Sequence, residues 1–191
     1  ITGSARSADI TGVKRRSKRK RLFNERLLFN HVLPNQSEMK VGLDVMGGDK
    51  YPGAPIGGAI QALKELSSDD SIVLIGDEQV ILSTLAEKGG DPAGFEIIHA
   101  PEVIHMHETP TRAFLQKPHS SIAVGFRLMK DNHIHAFTSA GSSGAMMVGS
   151  IYSVNVIQGI IRPATTAIIP KESGSVTVLL DVGTNPDLKP D

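Results

Sequence analysis

The sequence predicts an α/β fold in three layers, a mainly parallel sheet with helices on both faces. Three observations predict it. From residue 39 onward, short apolar runs alternate with stretches of helical periodicity, the pattern of successive strand–helix–strand units. Three of the predicted strands end in polar loops that carry glycine: 44–49, 139–144 and 181–185. The 191 residues are 40% hydrophobic and 21% charged, which suits one domain with a sizeable core.

The elements follow in order. Val41, Leu43 and Val45 alternate as a first strand that ends in Asp44-Val45-Met46-Gly47-Gly48-Asp49. Pro52 and Pro55 bracket a helix start, and Ile56, Ala59, Ile60 and Leu63 mark its apolar stripe. Ser71 to Ile75 is a short apolar run, a buried strand turned by Gly76-Asp77. Val80, Ile81, Leu82 and Leu85 form a helix stopped by Gly89-Gly90. Phe95 to His99 is a third strand. Thr109-Pro110 reads as an N-cap followed by proline at the first helical position, and Ser120-Ser121 caps a further helix buried through Ile122, Phe126 and Met129. Ala136 to Ala140 is a strand feeding Ser139-Ala140-Gly141-Ser142-Ser143-Gly144, with a helix after it. Thr165 to Ile169 and Val176 to Leu180 are two more strands, joined through Lys171-Glu172-Ser173-Gly174. The end at Lys189-Pro190-Asp191, with no helix to cover the last strand, leads us to expect that the C-terminal part of the domain is missing.

The formal charge of zero hides an asymmetry. Residues 1–38 hold nine basic side chains against three acidic ones, a net of +6, which leaves −6 on the remainder. The cluster from Lys14 to Arg21 has the charge to attract nucleic acid or anionic lipid, yet it lacks interleaved aromatics and the apolar core of a secretory signal. The expectation is a disordered leader over 1–38, translated from upstream of a start at Met39, and a globular part over 39–191. Absence of cysteine removes disulfides, thiolate metal sites and a cysteine nucleophile, and fits a reducing compartment. No apolar run is long enough to span a bilayer.

The loop after Ala136 to Ala140 is a candidate phosphate cradle. Its glycines let a backbone approach a ligand, Ser139, Ser142 and Ser143 carry hydroxyls, and the N–H groups that open the next helix favour an anion. The other reading of the same residues is a strand-to-helix turn chosen for geometry. In a doubly wound sheet the three polar loops share one edge and can converge on one ligand. Neither a G-x-G-x-x-G nor a G-x-x-x-x-G-K-[ST] motif occurs, nor the G-x-S-x-G of a hydrolase elbow. His105/His107 and His133/His135 are H-x-H pairs without an acidic partner at a diagnostic spacing, so no metal is expected. Arg162, Lys171 and Arg112 are candidate anion clamps, Arg162 first because it precedes a strand.

Taken together, the motifs resemble the bacterial phosphate acyltransferase (PlsX) family. The matching stretches are Leu43-Asp44-Val45-Met46-Gly47-Gly48-Asp49, His99-Ala100-Pro101-Glu102-Val103-Ile104 and Pro118-His119-Ser120-Ser121. They continue with Thr138-Ser139-Ala140-Gly141-Ser142-Ser143-Gly144-Ala145, Arg162-Pro163-Ala164 and Leu180-Asp181-Val182-Gly183-Thr184-Asn185. The likeness runs from Met39 to the last residue. The resemblance implies a Rossmann-like three-layer fold of the isocitrate/isopropylmalate dehydrogenase or phosphotransacetylase kind. It implies transfer of a fatty acyl group from acyl-acyl carrier protein to inorganic phosphate, giving acyl-phosphate for phospholipid synthesis. Implied with it are a cytoplasmic enzyme without cofactor, a homodimer at full length, and peripheral membrane association through the part beyond residue 191. Family chains continue past the last loop, so this chain alone is expected to lack turnover. The family usually reads Ser-Ala-Gly-Asn-Thr-Gly-Ala, so Ser142 and Ser143 here replace Asn and Thr, and an amide is lost at 142.

In that chemistry phosphate itself attacks the thioester, and the protein must supply an anion cradle and donors for the developing oxyanion. Gly47, Gly48, Gly141, Ser142, Ser143, Gly144, Arg162 and Lys171 are assigned to phosphate, and Ser139 and Asn185 to catalysis. Asp44, Asp49 and Asp181 are ill suited to gripping phosphate and are assigned to orienting the loops. Two other readings stand beside this one: a phosphotransacetylase-like enzyme using acyl-CoA, and a non-catalytic α/β module whose basic tail binds polyanions.

Overall fold

The computed structural model describes residues 38–160 and 163–182. The expected leader therefore lies, apart from Glu38, outside the described residues. Strands β1 (Lys40–Asp44), β2 (Ser71–Gly76), β3 (Glu96–His99) and β4 (Ala136–Thr138) form a four-stranded sheet. Every pairing in it is parallel, in the order β3-β2-β1-β4. Helices α1 (Gly53–Leu63) and α2 (Glu78–Lys88) connect the first three strands. Helices α3 (Pro110–Gln116) and α4 (Ser121–Lys130) lie between β3 and β4, and α5 (Ser143–Ser153) follows β4.

Strand β2 shows why the sheet is covered on both sides. Side chains alternate across a strand, and here both sets are apolar and buried. Ile72 and Leu74 join Val45, Met46, Ile56, Ala59, Ile81 and Leu85 in one cluster, under α1 and α2. Val73 and Ile75 join Ala100, Val124 and Ile134 on the opposite face, under α4. A third cluster, with Ile104, Ala113, Ile122, Phe126 and Ala145, binds α3, α4 and α5 together.

The helix ends follow the side chains that the sequence offers. Asp77 accepts from the N–H groups of Gln79 and Val80 at the start of α2, and Gly89 ends that helix at φ 68°. Ser120 caps α4 through the N–H of Ala123. Thr109 occupies the N-cap of α3 with Pro110 after it, as expected, but makes no side-chain cap bond.

The last two strands, β5 (Thr166–Pro170) and β6 (Val176–Leu180), depart from the mainly parallel expectation. They pair antiparallel with each other as a separate two-stranded sheet. The reason is local. A parallel crossover needs about a dozen residues, and the stretch between these strands has room only for a turn. Lys171 closes that turn, its N–H donating to the Ser175 carbonyl and its own carbonyl accepting from Gly174.

The strand order has a functional consequence. From β1 the chain steps outward to β2 and β3, and β4 then returns to the other side of β1. The order reverses between β1 and β4. In open α/β sheets the crevice beyond the carboxyl ends of two such strands is where ligands bind.

Candidate functional site

A cleft of about 480 Å³ opens at that reversal point. It is lined by Leu43, Asp44, Gly47, Gly48, Asp49 and Lys50 from the end of β1 and the loop after it. Ala54 and Pro55 from the start of α1, and Thr138, Ser139 and Ala140 from the end of β4, complete the lining. Two of the three polar loops thus meet. The third begins at Asp181, after β6; its described residues, Asp181 and Val182, are not in the lining, and Gly183, Thr184 and Asn185 lie outside the described residues.

The centre of the cleft wall is a hydrogen-bonded knot. Asp44 is 1% exposed. Its Oδ1 accepts from the N–H of Met46 at 2.9 Å, and its Oδ2 accepts from the Ser139 hydroxyl at 2.6 Å. That distance is typical of a hydroxyl donating to a carboxylate. The N–H of Gly141 in turn donates to Ser139 Oγ at 2.9 Å. The end of β1 and the end of β4, side by side in the sheet, are therefore also tied through side chains.

The polar groups of the expected cradle have partners within the protein. The hydroxyl proton of Ser139 and the N–H of Gly141 are used inside the protein. The Ser142 hydroxyl accepts from the N–H of Ala145 at 3.3 Å as the N-cap of α5, and Ser142 is buried. Gly141, Ser142, Ser143 and Gly144 are not part of the cleft lining. The glycines serve the approach of protein segments to each other. A Cβ on Gly47 would lie 2.7 Å from the Gly141 nitrogen and 2.5 Å from Asp44 Oδ2. One on Gly144 would lie 2.6 Å from Pro110 Cγ, where α3 meets α5. Gly48, at φ 91°, adopts the left-handed region open to glycine and sits against Ala140.

Asp44, Asp49, Gly47, Gly48 and Ser139 are thus the sequence-expected residues that line the cleft. Lys171 sits in the hairpin turn and Asp181 at the end of β6, both outside the lining. Arg162 and Asn185 lie outside the described residues. Sequence reasoning passed over Lys50. Among the described residues it is the one cation in the lining, which also holds the carboxylates of Asp44 and Asp49, and it has no ion-pair partner there. Its signal was its place directly after Gly47-Gly48-Asp49 at a strand's carboxyl end.

The histidine pairs belong elsewhere. His133 Nε2 meets Glu96 Oε1 at 2.5 Å, and Lys40 Nζ donates to the other Glu96 oxygen at 3.2 Å. His135 Nδ1 accepts from the N–H of Lys40. These contacts hold the edge of the sheet where β1 and β3 begin. Burial pushes the Glu96 carboxyl up, but the hydrogen bonds from His133 and Lys40 outweigh it and hold the group below its ordinary range. His105 and His107 stack on each other in the loop after β3, at the opposite edge. Nearby Glu108 is also held below the ordinary range, by the Lys117 ammonium and the N–H of His105.

Fold and cleft together define an α/β protein with a cleft where its strand order reverses. The EutD phosphotransacetylase from Staphylococcus aureus has a similar fold, with a TM-score of 0.55 at 14% identity over 87% of this chain and 52% of that one. The family model described as "Fatty acid synthesis protein" matches residues 39–191. The chain belongs to that family, the phosphate acyltransferase (PlsX) family. Its similarity to the phosphate acyltransferase of Salinibacter ruber is 41% identity over 152 residues, 79% of this chain and 45% of that protein. For the phosphate acyltransferase of Caldicellulosiruptor bescii the identity is 43% over 152 residues, 80% of this chain and 45% of that protein. The chain thus spans a little under half the length of these relatives.

Proposed function

We propose that the protein transfers a fatty acyl group from acyl-acyl carrier protein to inorganic phosphate, giving acyl-phosphate for phospholipid synthesis. The observation that carries this reading is its membership of the phosphate acyltransferase family over residues 39–191. In the reaction an oxygen of hydrogen phosphate attacks the thioester carbonyl, the carbon–sulfur bond breaks, and the departing thiolate takes up the proton that phosphate gives up. The protein has no bond of its own to make. Its task is to hold phosphate and steady the developing oxyanion. The cleft beside Ser139 and Lys50 is the place proposed for phosphate, with Lys50 supplying the positive charge. Ser139 is proposed to touch phosphate, and Asn185 remains a proposed oxyanion donor. Asp44 orients Ser139 in this scheme, and Asp49 orients its own loop. Arg162 and Lys171 remain proposed anion clamps, and Asp181 a proposed loop-orienting residue. A cytoplasmic site of action, a homodimer and a peripheral membrane contact belong to the same reading. Among the described residues no helix is long and apolar enough to cross a membrane.

Use of acyl-CoA in place of the carrier protein is the second reading, supported by the fold shared with a phosphotransacetylase. One experiment separates them. A polypeptide carrying this sequence at the full length of its relatives is given phosphate and either acyl-acyl carrier protein or acyl-CoA, and acyl-phosphate is trapped with hydroxylamine. Hydroxamate formed from the carrier-protein thioester alone is the expected result. Product from acyl-CoA alone moves the assignment to the second reading, and none from either donor with a folded protein overturns both.

A further inference from the structure

The hydrogen bonds around Ser139 fix which way its hydroxyl points, and with it the kind of oxyanion that the cleft accepts. A hydroxyl has one proton and two lone pairs. The Asp44 carboxylate can only accept, so the proton of Ser139 points at Oδ2, 2.6 Å away. The N–H of Gly141 occupies one lone pair from 2.9 Å. Ser139 lines the cleft, so what it offers a ligand there is its second lone pair. It is an acceptor, and it pairs only with an oxyanion that still carries a proton.

We infer that Ser139, oriented by Asp44, makes the cleft specific for hydrogen phosphate over sulfate. At neutral pH phosphate keeps at least one proton to donate to Ser139 Oγ. Sulfate has the same shape and charge as hydrogen phosphate but nothing to donate, and it would leave two oxygen lone pairs facing each other. This inference rests on the reading that the cleft takes inorganic phosphate. It assigns Ser139 as the residue that selects the anion and Asp44 as the residue that positions it.

Asp44→Asn is the informative variant. The N–H of Met46 holds an acceptor at the Oδ1 position, so the amide oxygen takes that place and the NH₂ falls where Oδ2 was. The amide then donates to Ser139 Oγ, and with the N–H of Gly141 also donating, the serine turns its own proton into the cleft. An acceptor becomes a donor with almost no change in shape. Asp49→Asn is the control, because it removes one negative charge from the wall and leaves the orientation of Ser139 alone.

The experiment titrates the folded chain with phosphate and, separately, with sulfate at pH 7 and matched ionic strength, by calorimetry. Phosphate is expected to bind about 10- to 100-fold more tightly, the effect of leaving unpaired an acceptor that the bound anion covers. The ratio should fall to about one or below in Asp44→Asn and persist in Asp49→Asn. Equal affinity of the unmodified chain for both anions overturns the inference while leaving phosphate in the cleft, and so does an unchanged ratio in Asp44→Asn. Binding of neither anion overturns the phosphate reading of the cleft and this inference with it. If Asp44→Asn does not fold, the ratio measured on the unmodified chain decides alone.

Discussion

The Ser139 hydroxyl donates to Asp44 Oδ2 at 2.6 Å, joining residues 95 apart in the sequence and closing the cleft wall between β1 and β4. Asp44 is buried and both of its oxygens are partnered. Asp44→Ala strands the Met46 N–H and the Ser139 hydroxyl together, and is expected to cost about 2–4 kcal/mol. Asp44→Asn keeps a partner for each and is expected to cost about 1 kcal/mol. Urea denaturation of both variants measures the difference.

Gly47 and Gly58 make a contrasting pair. A methyl at 47 meets the Gly141 backbone and the Asp44 carboxylate, neither of which can move away cheaply, so Gly47→Ala is expected to destabilise by about 1–3 kcal/mol. At Gly58, inside α1, nothing lies within 4 Å of an added Cβ. Gly58→Ala is therefore expected to stabilise by about 0.5–1 kcal/mol through helix propensity. Thermal melts of the two variants should shift in opposite directions.

Ser142 replaces the asparagine usual in the family and acts as an N-cap. Ser142→Ala removes the partner of the Ala145 N–H and is expected to cost about 1 kcal/mol. Because Ser142 does not line the cleft, anion affinity should stay within about twofold when stability is restored by lower temperature. A loss of affinity at full folding would return Ser142 to the ligand.

Lys50 supplies the positive charge in the cleft lining. Lys50→Met should weaken phosphate binding about tenfold, and Lys50→Arg should hold it near the original value. The effect should shrink as salt is added, since the side chain is exposed to solvent.

The Glu96 carboxyl is held below its ordinary value of 4.5 in the folded protein by His133 and Lys40. A lowered carboxyl pKa stabilises the fold above the unfolded value, and that contribution is lost as pH falls from about 4.5 through the folded value. Glu96→Gln should thus melt about 1–3 °C below the original protein near pH 6, the small size reflecting partial exposure. The gap should close on acidification below pH 4.5.

Much of the architecture was legible before any coordinates. Period-two and helical patterns marked the strands and helices, and Gly89, Ser120 and Pro110 marked helix ends, because capping and periodicity act over a few residues. The same locality limits what could be read of the site. Ser139, Ser142, Gly47 and Gly141 read as a ligand cradle from their donors and glycines, while their partners within the protein come from distant or folded segments. The placement of the Lys171 turn away from the cleft was equally invisible.

The sequence by itself determined the elements, their ends and the chemical types available at the strand termini, and its motifs pointed to the family. Only the tertiary structure decided that the loops after β1 and β4 share a cleft, since that depends on β4 returning beside β1. It also decided that Ser139 faces the cleft as an acceptor. A hydroxyl's direction is set by its strongest acceptor, and here that acceptor is Asp44, brought alongside by strand order and register rather than by sequence proximity.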